Sequence, residues 1–118
     1  MLTDINGVAV LECDADGPSV DGDRAAMDLI GEALGQGADL VAVPVGRLPD
    51  EFFSLRSGLA GMVAQKFVNY RVRLAIVGDI AAHVDRSSAL RDFVRETNRG
   101  TQLWFVADGS ELRERLGS

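Results

Sequence analysis

Short apolar stretches alternate with amphipathic stretches along most of the chain. The apolar stretches of strand length are residues 8–13, 38–46, 71–79 and 101–108. In the amphipathic stretches, apolar residues recur every three or four positions, as they do on one face of an α-helix. The amphipathic stretches are residues 23–37, 57–70, 87–100 and 108–116. Strands that alternate with helices predict an α/β fold with a mostly parallel sheet.

The N-terminal segment predicts a β-hairpin ahead of this alternation. Asn6-Gly7 lies between two short apolar segments, residues 2–5 and 8–13, and both turn residues tolerate a positive φ. The loop that follows contains Asp21 and Asp23, two candidate caps for the first helix. The predicted order is ββαβαβαβα, in a single domain over residues 1–118.

The amino-acid composition and net charge of the chain exclude some classes of binding partner. Hydrophobic residues make up 47% of the chain and charged residues 25%, as in an ordinary globular protein. The net charge of −6 opposes binding to nucleic acid or to an anionic membrane surface. A single cysteine, Cys13, rules out an intrachain disulfide, and the N-terminus lacks the pattern of an export signal. We therefore expect a cytoplasmic protein that binds neither nucleic acid nor membrane.

Residues suited to catalysis or metal binding are few. The one histidine, His83, lies in a predicted loop, where a solvated side chain is the ordinary interpretation. One cysteine and one histidine do not make a zinc site, and the loop at residues 14–23 lacks the glycine and the glutamate of a calcium loop. We expect no cofactor, no metal and no catalytic residue.

Ser57 precedes the amphipathic stretch at residues 57–70. Its simplest role is that of a helix N-cap, in which the hydroxyl accepts a hydrogen bond from a first-turn N–H. The functional alternative is phosphorylation, because a phosphate is favoured at the positive end of a helix dipole. The residues alone leave both roles open.

The segment "FSLRSGLAG" and the later "LAIVG" resemble motifs of the STAS-type fold of bacterial anti-sigma factor antagonists. The matching residues are Phe53, Ser57, Gly58 and Leu59. Leu55 and Arg56 depart from the motif, which has an aspartate and a first serine at these positions. The resemblance implies a STAS-like single domain with a phosphoserine switch that a kinase partner reads.

Three runs of residues are similar to a second bacterial family, domain-of-unknown-function family four-one-eight-zero. These runs are residues 52–61, 65–79 and 93–106. The middle run contains the long and distinctive "QKFVNYR", on which the chain is identified as a member of that family. The family has no assigned activity to carry over.

The main functional prediction is a non-enzymatic regulatory domain. It docks an unidentified protein partner, or a second copy of itself in a homodimer, through the turn and helix start at residues 50–61. The predicted partner-binding residues are Phe52, Phe53, Ser54, Arg56, Ser57 and Gly58. The alternative for one or both of the phenylalanines is a place in the core.

Two alternatives stay open. One is a small-ligand or nucleotide site at the carboxyl ends of the strands, near Gly46, Ser54 and Asp79. The other is a small enzyme that uses Ser57 and His83. A pocket beside Asp79 favours the first alternative, and a hydrogen bond from a nucleophile to His83 favours the second.

Overall fold

Five strands form one mixed sheet in the computed structural model, which describes residues 1–117. The strands are β1 (Leu2–Ile5), β2 (Val8–Glu12), β3 (Leu40–Pro44), β4 (Arg73–Val77) and β5 (Leu103–Val106). They lie side by side in chain order; β1 runs antiparallel to β2, and the other neighbours are parallel. The prediction of an α/β protein with a mostly parallel sheet is confirmed.

Six α-helices accompany this sheet within residues 1–117. They are α1 (Asp23–Gln36), α2 (Asp50–Phe53), α3 (Leu59–Asn69), α4 (Ala81–Arg86), α5 (Ser88–Arg99) and α6 (Gly109–Gly117). Two 3₁₀ turns, Val45–Arg47 and Leu55–Ser57, lie on either side of α2. The predicted order ββαβαβαβα omitted α2 and α4, because helices this short show too few apolar repeats to be recognised. None of the helices in these residues has the length and apolar character that crossing a membrane requires.

The hairpin turn and the helix N-termini can be compared with the local sequence signals that predicted them. Asn6 and Gly7 have φ angles of 53° and 87°, as the hairpin prediction required. The prediction that Asp21 or Asp23 caps α1 is wrong, because Gly22 occupies the cap position and makes no side-chain bond. At the start of α5, Ser87 is the N-cap, since its Oγ accepts a hydrogen bond of 3.1 Å from the Leu90 N–H.

The sheet buries both of its faces. Alternate strand residues point to opposite sides. One side carries Leu11, Val41 and Leu74 and packs in one cluster with apolar residues of α1, α3 and α5. The opposite side carries Trp104 and packs against Leu112 of α6 in a second cluster. Thus α5, which leads into β5, and α6, which follows β5, lie on opposite faces of the sheet.

Candidate functional site

The strongest candidate site lies at the carboxyl ends of β4 and β5. The chain leaves β4 toward α4 and α5 on one face and leaves β5 toward α6 on the other. A crevice opens where the connections of neighbouring parallel strands diverge in this way. The structure has a cavity of about 410 Å³ there. We call it the strand-end cleft, and its lining residues are Gly78, Asp79, Ile80, Ala81, Val84, Arg91, Val94, Arg95, Phe105, Val106 and Ala107.

The walls of the strand-end cleft are mainly aliphatic and aromatic, and its charges come from three side chains. Asp79 Oδ1 accepts a 2.9 Å hydrogen bond from the Ala81 N–H, which holds the carboxylate at the start of α4. Arg91 Nη2 donates a 3.0 Å hydrogen bond to the Val84 carbonyl. Arg95 is more loosely held, because its 3.6 Å ion pair with Asp92 is exposed on both sides. The cleft therefore combines an apolar interior with charges of both signs.

Gly78 determines how the chain leaves β4 and enters this cleft. Its φ of 144° lies in a region that side chains rarely adopt. A Cβ at this position would also lie 2.7 Å from Val45 Cγ2 and 2.9 Å from Val45 Cβ. Only glycine satisfies the backbone angle and the close packing together, and this conformation carries the chain directly to Asp79.

A second cavity lies on the other side of α4. It has a volume of about 420 Å³ and is lined by α4 and by the segment that contains α2 and the Leu55–Ser57 turn. We call it the turn cleft, and its lining residues are Asp50, Phe53, Ser54, Leu55, Arg56, His83, Arg86, Ser87 and Ala89. Its lining is more polar than that of the strand-end cleft and includes two arginines. The two cavities share α4 as a wall.

The aromatic pair predicted to anchor a partner lies in the core. Phe52 is 1% exposed and Phe53 is 5% exposed. Their ring centroids are 5.3 Å apart in an edge-to-face arrangement. The structure thus contradicts an exposed anchor at these positions, because both rings pack beneath neighbouring elements. Ser54, Arg56, Ser57 and Gly58 remain exposed on the surrounding turn.

Ser57 holds this turn together through backbone groups. Its Oγ lies 2.5 Å from the Glu51 carbonyl oxygen and 2.8 Å from that of Ser54, and it accepts a 3.1 Å hydrogen bond from the Leu59 N–H. The prediction of an N-cap is wrong in position, because Gly58, with a φ of 78°, precedes the first residue of α3. Ser57 instead ends the 3₁₀ turn, and its hydroxyl connects α2 to the start of α3.

His83 lies in α4 and not in the predicted loop. Its ring stacks on Phe53 with a centroid separation of 4.0 Å and an interplanar angle of 11°. Its Nδ1 lies 3.4 Å from Arg86 Nη2. The Oγ contacts of Ser57 are all with backbone groups, so the structure does not join Ser57 and His83 by a hydrogen bond.

The three residues predicted for a ligand site are not gathered in one place. Asp79 lines the strand-end cleft, Ser54 lines the turn cleft, and Gly46 lies exposed in the Val45–Arg47 turn. Arg91 and Arg95 were not predicted as site residues, since charged side chains on an amphipathic helix ordinarily meet water. Their spacing of four residues on α5 was the one available signal that they share a face.

The loop between β2 and α1 is held in place by a buried arginine. Arg47 is only 8% exposed, and it donates hydrogen bonds of 2.8 Å to the Pro18 carbonyl and 3.1 Å to the Asp14 carbonyl. Burial raises the pKa of the nearby Cys13 thiol above its ordinary value.

Within residues 1–117, no group of three or more His, Cys, Asp or Glu side chains is arranged to hold a metal ion.

Comparison with known families identifies the chain. A family model described as "Domain of unknown function (DUF4180)" matches residues 5–116. The chain belongs to this family. Searches of curated proteins and of solved structures found no match. The similarity first noted in "QKFVNYR" is therefore confirmed, and all residues that line the two clefts of this DUF4180 domain fall within the matched segment.

Proposed function

We propose that this DUF4180 domain is a non-enzymatic, cytoplasmic regulatory domain that binds a small, largely apolar molecule in the strand-end cleft. The observation that carries the proposal is the apolar-walled cavity of about 410 Å³ beside Asp79. Its volume is within the range of roughly 300–1,000 Å³ that ligand pockets occupy. Its position, at the carboxyl ends of diverging parallel strands, is where α/β sheets commonly bind ligands.

The lining defines the class of ligand. Val84, Val94 and Phe105 suit an apolar body, since covering these side chains removes apolar surface from water. Asp79 and Arg91, held by backbone hydrogen bonds, suit a polar group that both donates and accepts, such as an amide or a carboxylic acid. The predicted ligand is an amphipathic small molecule that places this group at the mouth of the cleft.

Filling the cleft with protein side chain is expected to abolish this binding. Ala81 lines the strand-end cleft, whereas its neighbour Ala82, also exposed on α4, lines neither cleft. In a fluorescence-monitored melting screen of small amphipathic molecules, we expect ligands that raise the Tm of the wild type to have no effect on Ala81→Phe. The same ligands should still raise the Tm of Ala82→Phe. Equal shifts in both variants would place the binding elsewhere and contradict the proposal.

A second candidate function is docking of a protein partner at the Leu55–Ser57 turn, as the STAS-like resemblance implies. The observation that favours it is that Ser57 is exposed, yet its hydroxyl connects Glu51, Ser54 and Leu59. A phosphate on Oγ would remove the hydrogen that is donated to the carbonyl oxygens and would place negative charge beside them. The negative charge, which Ser57→Ala does not introduce, would repel these carbonyl oxygens and disturb the turn that a partner contacts.

Ser57→Ala is expected to lower the free energy of unfolding by about 1 kcal/mol, the usual net value of a lost hydrogen bond. Ser57→Thr, which keeps the hydroxyl, should lose less, and urea denaturation measures both. For the docking function, pull-downs with wild type, Ser57→Ala and Ser57→Asp should yield a partner that only Ser57→Asp fails to retain. If all three baits retained the same proteins, the proposed switch at Ser57 would be contradicted.

A further inference from the structure

The turn cleft carries cationic groups that the strand-end proposal does not use. Arg56 reaches it from the 3₁₀ turn and Arg86 from the last turn of α4. The two arginines come from different elements and line the same cavity of about 420 Å³. This convergence occurs in a chain whose net charge is −6, so it does not follow from a general excess of positive charge.

Both guanidinium groups have unused donors. Within residues 1–117, neither Arg56 nor Arg86 forms an ion pair with a carboxylate, and Arg56 makes no hydrogen bond to the protein. Arg86 donates from Nε to the Ala82 carbonyl at 3.2 Å and turns Nη2 toward His83 Nδ1 at 3.4 Å. These contacts orient the Arg86 side chain along α4 and leave its Nη1 group unpaired in the described part of the chain.

Two hydroxyl groups add donors to the same lining. Ser54 lines the cleft, and its side chain makes no hydrogen bond to residues 1–117. Ser87 Oγ accepts the Leu90 N–H at 3.1 Å, so its own hydrogen remains available for a ligand. Planar guanidinium groups accompanied by hydroxyl donors are the groups that proteins use to bind phosphate oxygens.

We propose that the turn cleft binds a small phosphate monoester, with Arg56 and Arg86 holding the phosphate. The cavity is larger than a phosphate group, so it also accommodates an organic part beside Leu55, Phe53 and His83, which line it. Asp50 lines the cleft as well and repels a dianion. The phosphate therefore lies toward the arginines, and this arrangement does not depend on a ligand in the strand-end cleft.

Titration with inorganic phosphate and with phenyl phosphate, followed by NMR of backbone amides, tests the proposal. In the wild type, amides of residues 54–57 and 83–89 should shift, and those of residues 105–107 should not. Arg56→Gln and Arg86→Gln should each weaken phenyl phosphate binding roughly 10-fold or more, as expected for the loss of a charged hydrogen bond. Arg24→Gln is the matched control, because Arg24 is exposed on α1 and lines neither cleft.

The variant Asp50→Asn tests for a gain of phosphate binding, which an unfolded variant could not produce. Removing this carboxylate should strengthen phosphate binding several-fold, since one repulsive charge is lost and both arginines remain. The proposal is overturned if the wild type binds neither inorganic phosphate nor phenyl phosphate. It is also overturned if Arg24→Gln weakens binding as much as Arg56→Gln does, because the effect would then be one of overall charge.

Discussion

Phe53→Ala is expected to lower the free energy of unfolding by about 3–4 kcal/mol, the cost of truncating a buried aromatic side chain. The Phe53 ring is 5% exposed, and it contacts the rings of both Phe52 and His83. The stacked pair with His83 is a contact between α2 and α4, two helices of only four and six residues. Losing it should also loosen the wall between the two clefts.

Urea denaturation followed through the single tryptophan, Trp104, measures this effect. Leu34→Ala is the control, because Leu34 is 53% exposed and its truncation should change stability by no more than about 0.5 kcal/mol. If Phe53→Ala were as mild as Leu34→Ala, the ring would behave as a surface side chain. That result would restore Phe53 as a candidate partner anchor and contradict its place in the core.

Gly78→Ala is expected to lower the free energy of unfolding by about 3 kcal/mol or more. Two causes combine: a φ of 144°, which costs a side-chain-bearing residue about 1–3 kcal/mol, and a Cβ that would lie 2.7 Å from Val45 Cγ2. The strain acts where β4 ends, so ligand binding in the strand-end cleft should weaken as well. Urea denaturation and the melting screen measure the two effects.

Two further variants separate these causes. Gly31→Ala is the control, since a Cβ at this exposed position of α1 meets nothing within 4 Å and should stabilise the helix by about 0.5–1 kcal/mol. Adding Val45→Ala to Gly78→Ala should recover only part of the lost stability, because it removes the 2.7 Å contact with Cγ2 and leaves the 2.9 Å contact with Cβ. The backbone strain at Gly78 should remain. Full recovery in the double variant would show that φ is not a cause.

Local patterns were sufficient to predict the strands and the longer helices. Asn6-Gly7 specified the hairpin because few residues adopt positive φ without strain, and a turn of this kind restricts the pairing of its flanking strands. The apolar periodicity of α1, α3 and α5 reflected the faces that pack on the sheet. The run "QKFVNYR" was long enough to indicate the family that the match to residues 5–116 then showed.

The candidate sites were predictable only in part. Asp79 was identified because it follows a buried strand, which is a local signal. Arg91 and Arg95 were not, since their place in the lining of the same cleft depends on how α5 packs against β5. The sequence did not decide between an exposed anchor and a core position for Phe52 and Phe53, because two adjacent aromatics next to a turn look the same in sequence in both cases. The burial of Phe53 depends on residues far along the chain, including His83.

The sequence by itself therefore determines the type and order of the helices and strands. The reason is that apolar alternation, helical periodicity and turn-forming residues act between near neighbours in the chain. Which polar groups meet in a cavity depends on packing between distant segments. Arg56 and Arg86 line one cleft, and Asp79 and Arg91 line another, because the short helix α4 passes between them. Neither pair is marked by spacing or by composition. Arg56 and Arg86 meet where α4 lies beside the turn that ends in Ser57, and Asp79 and Arg91 meet where the β4–α4 connection lies beside α5.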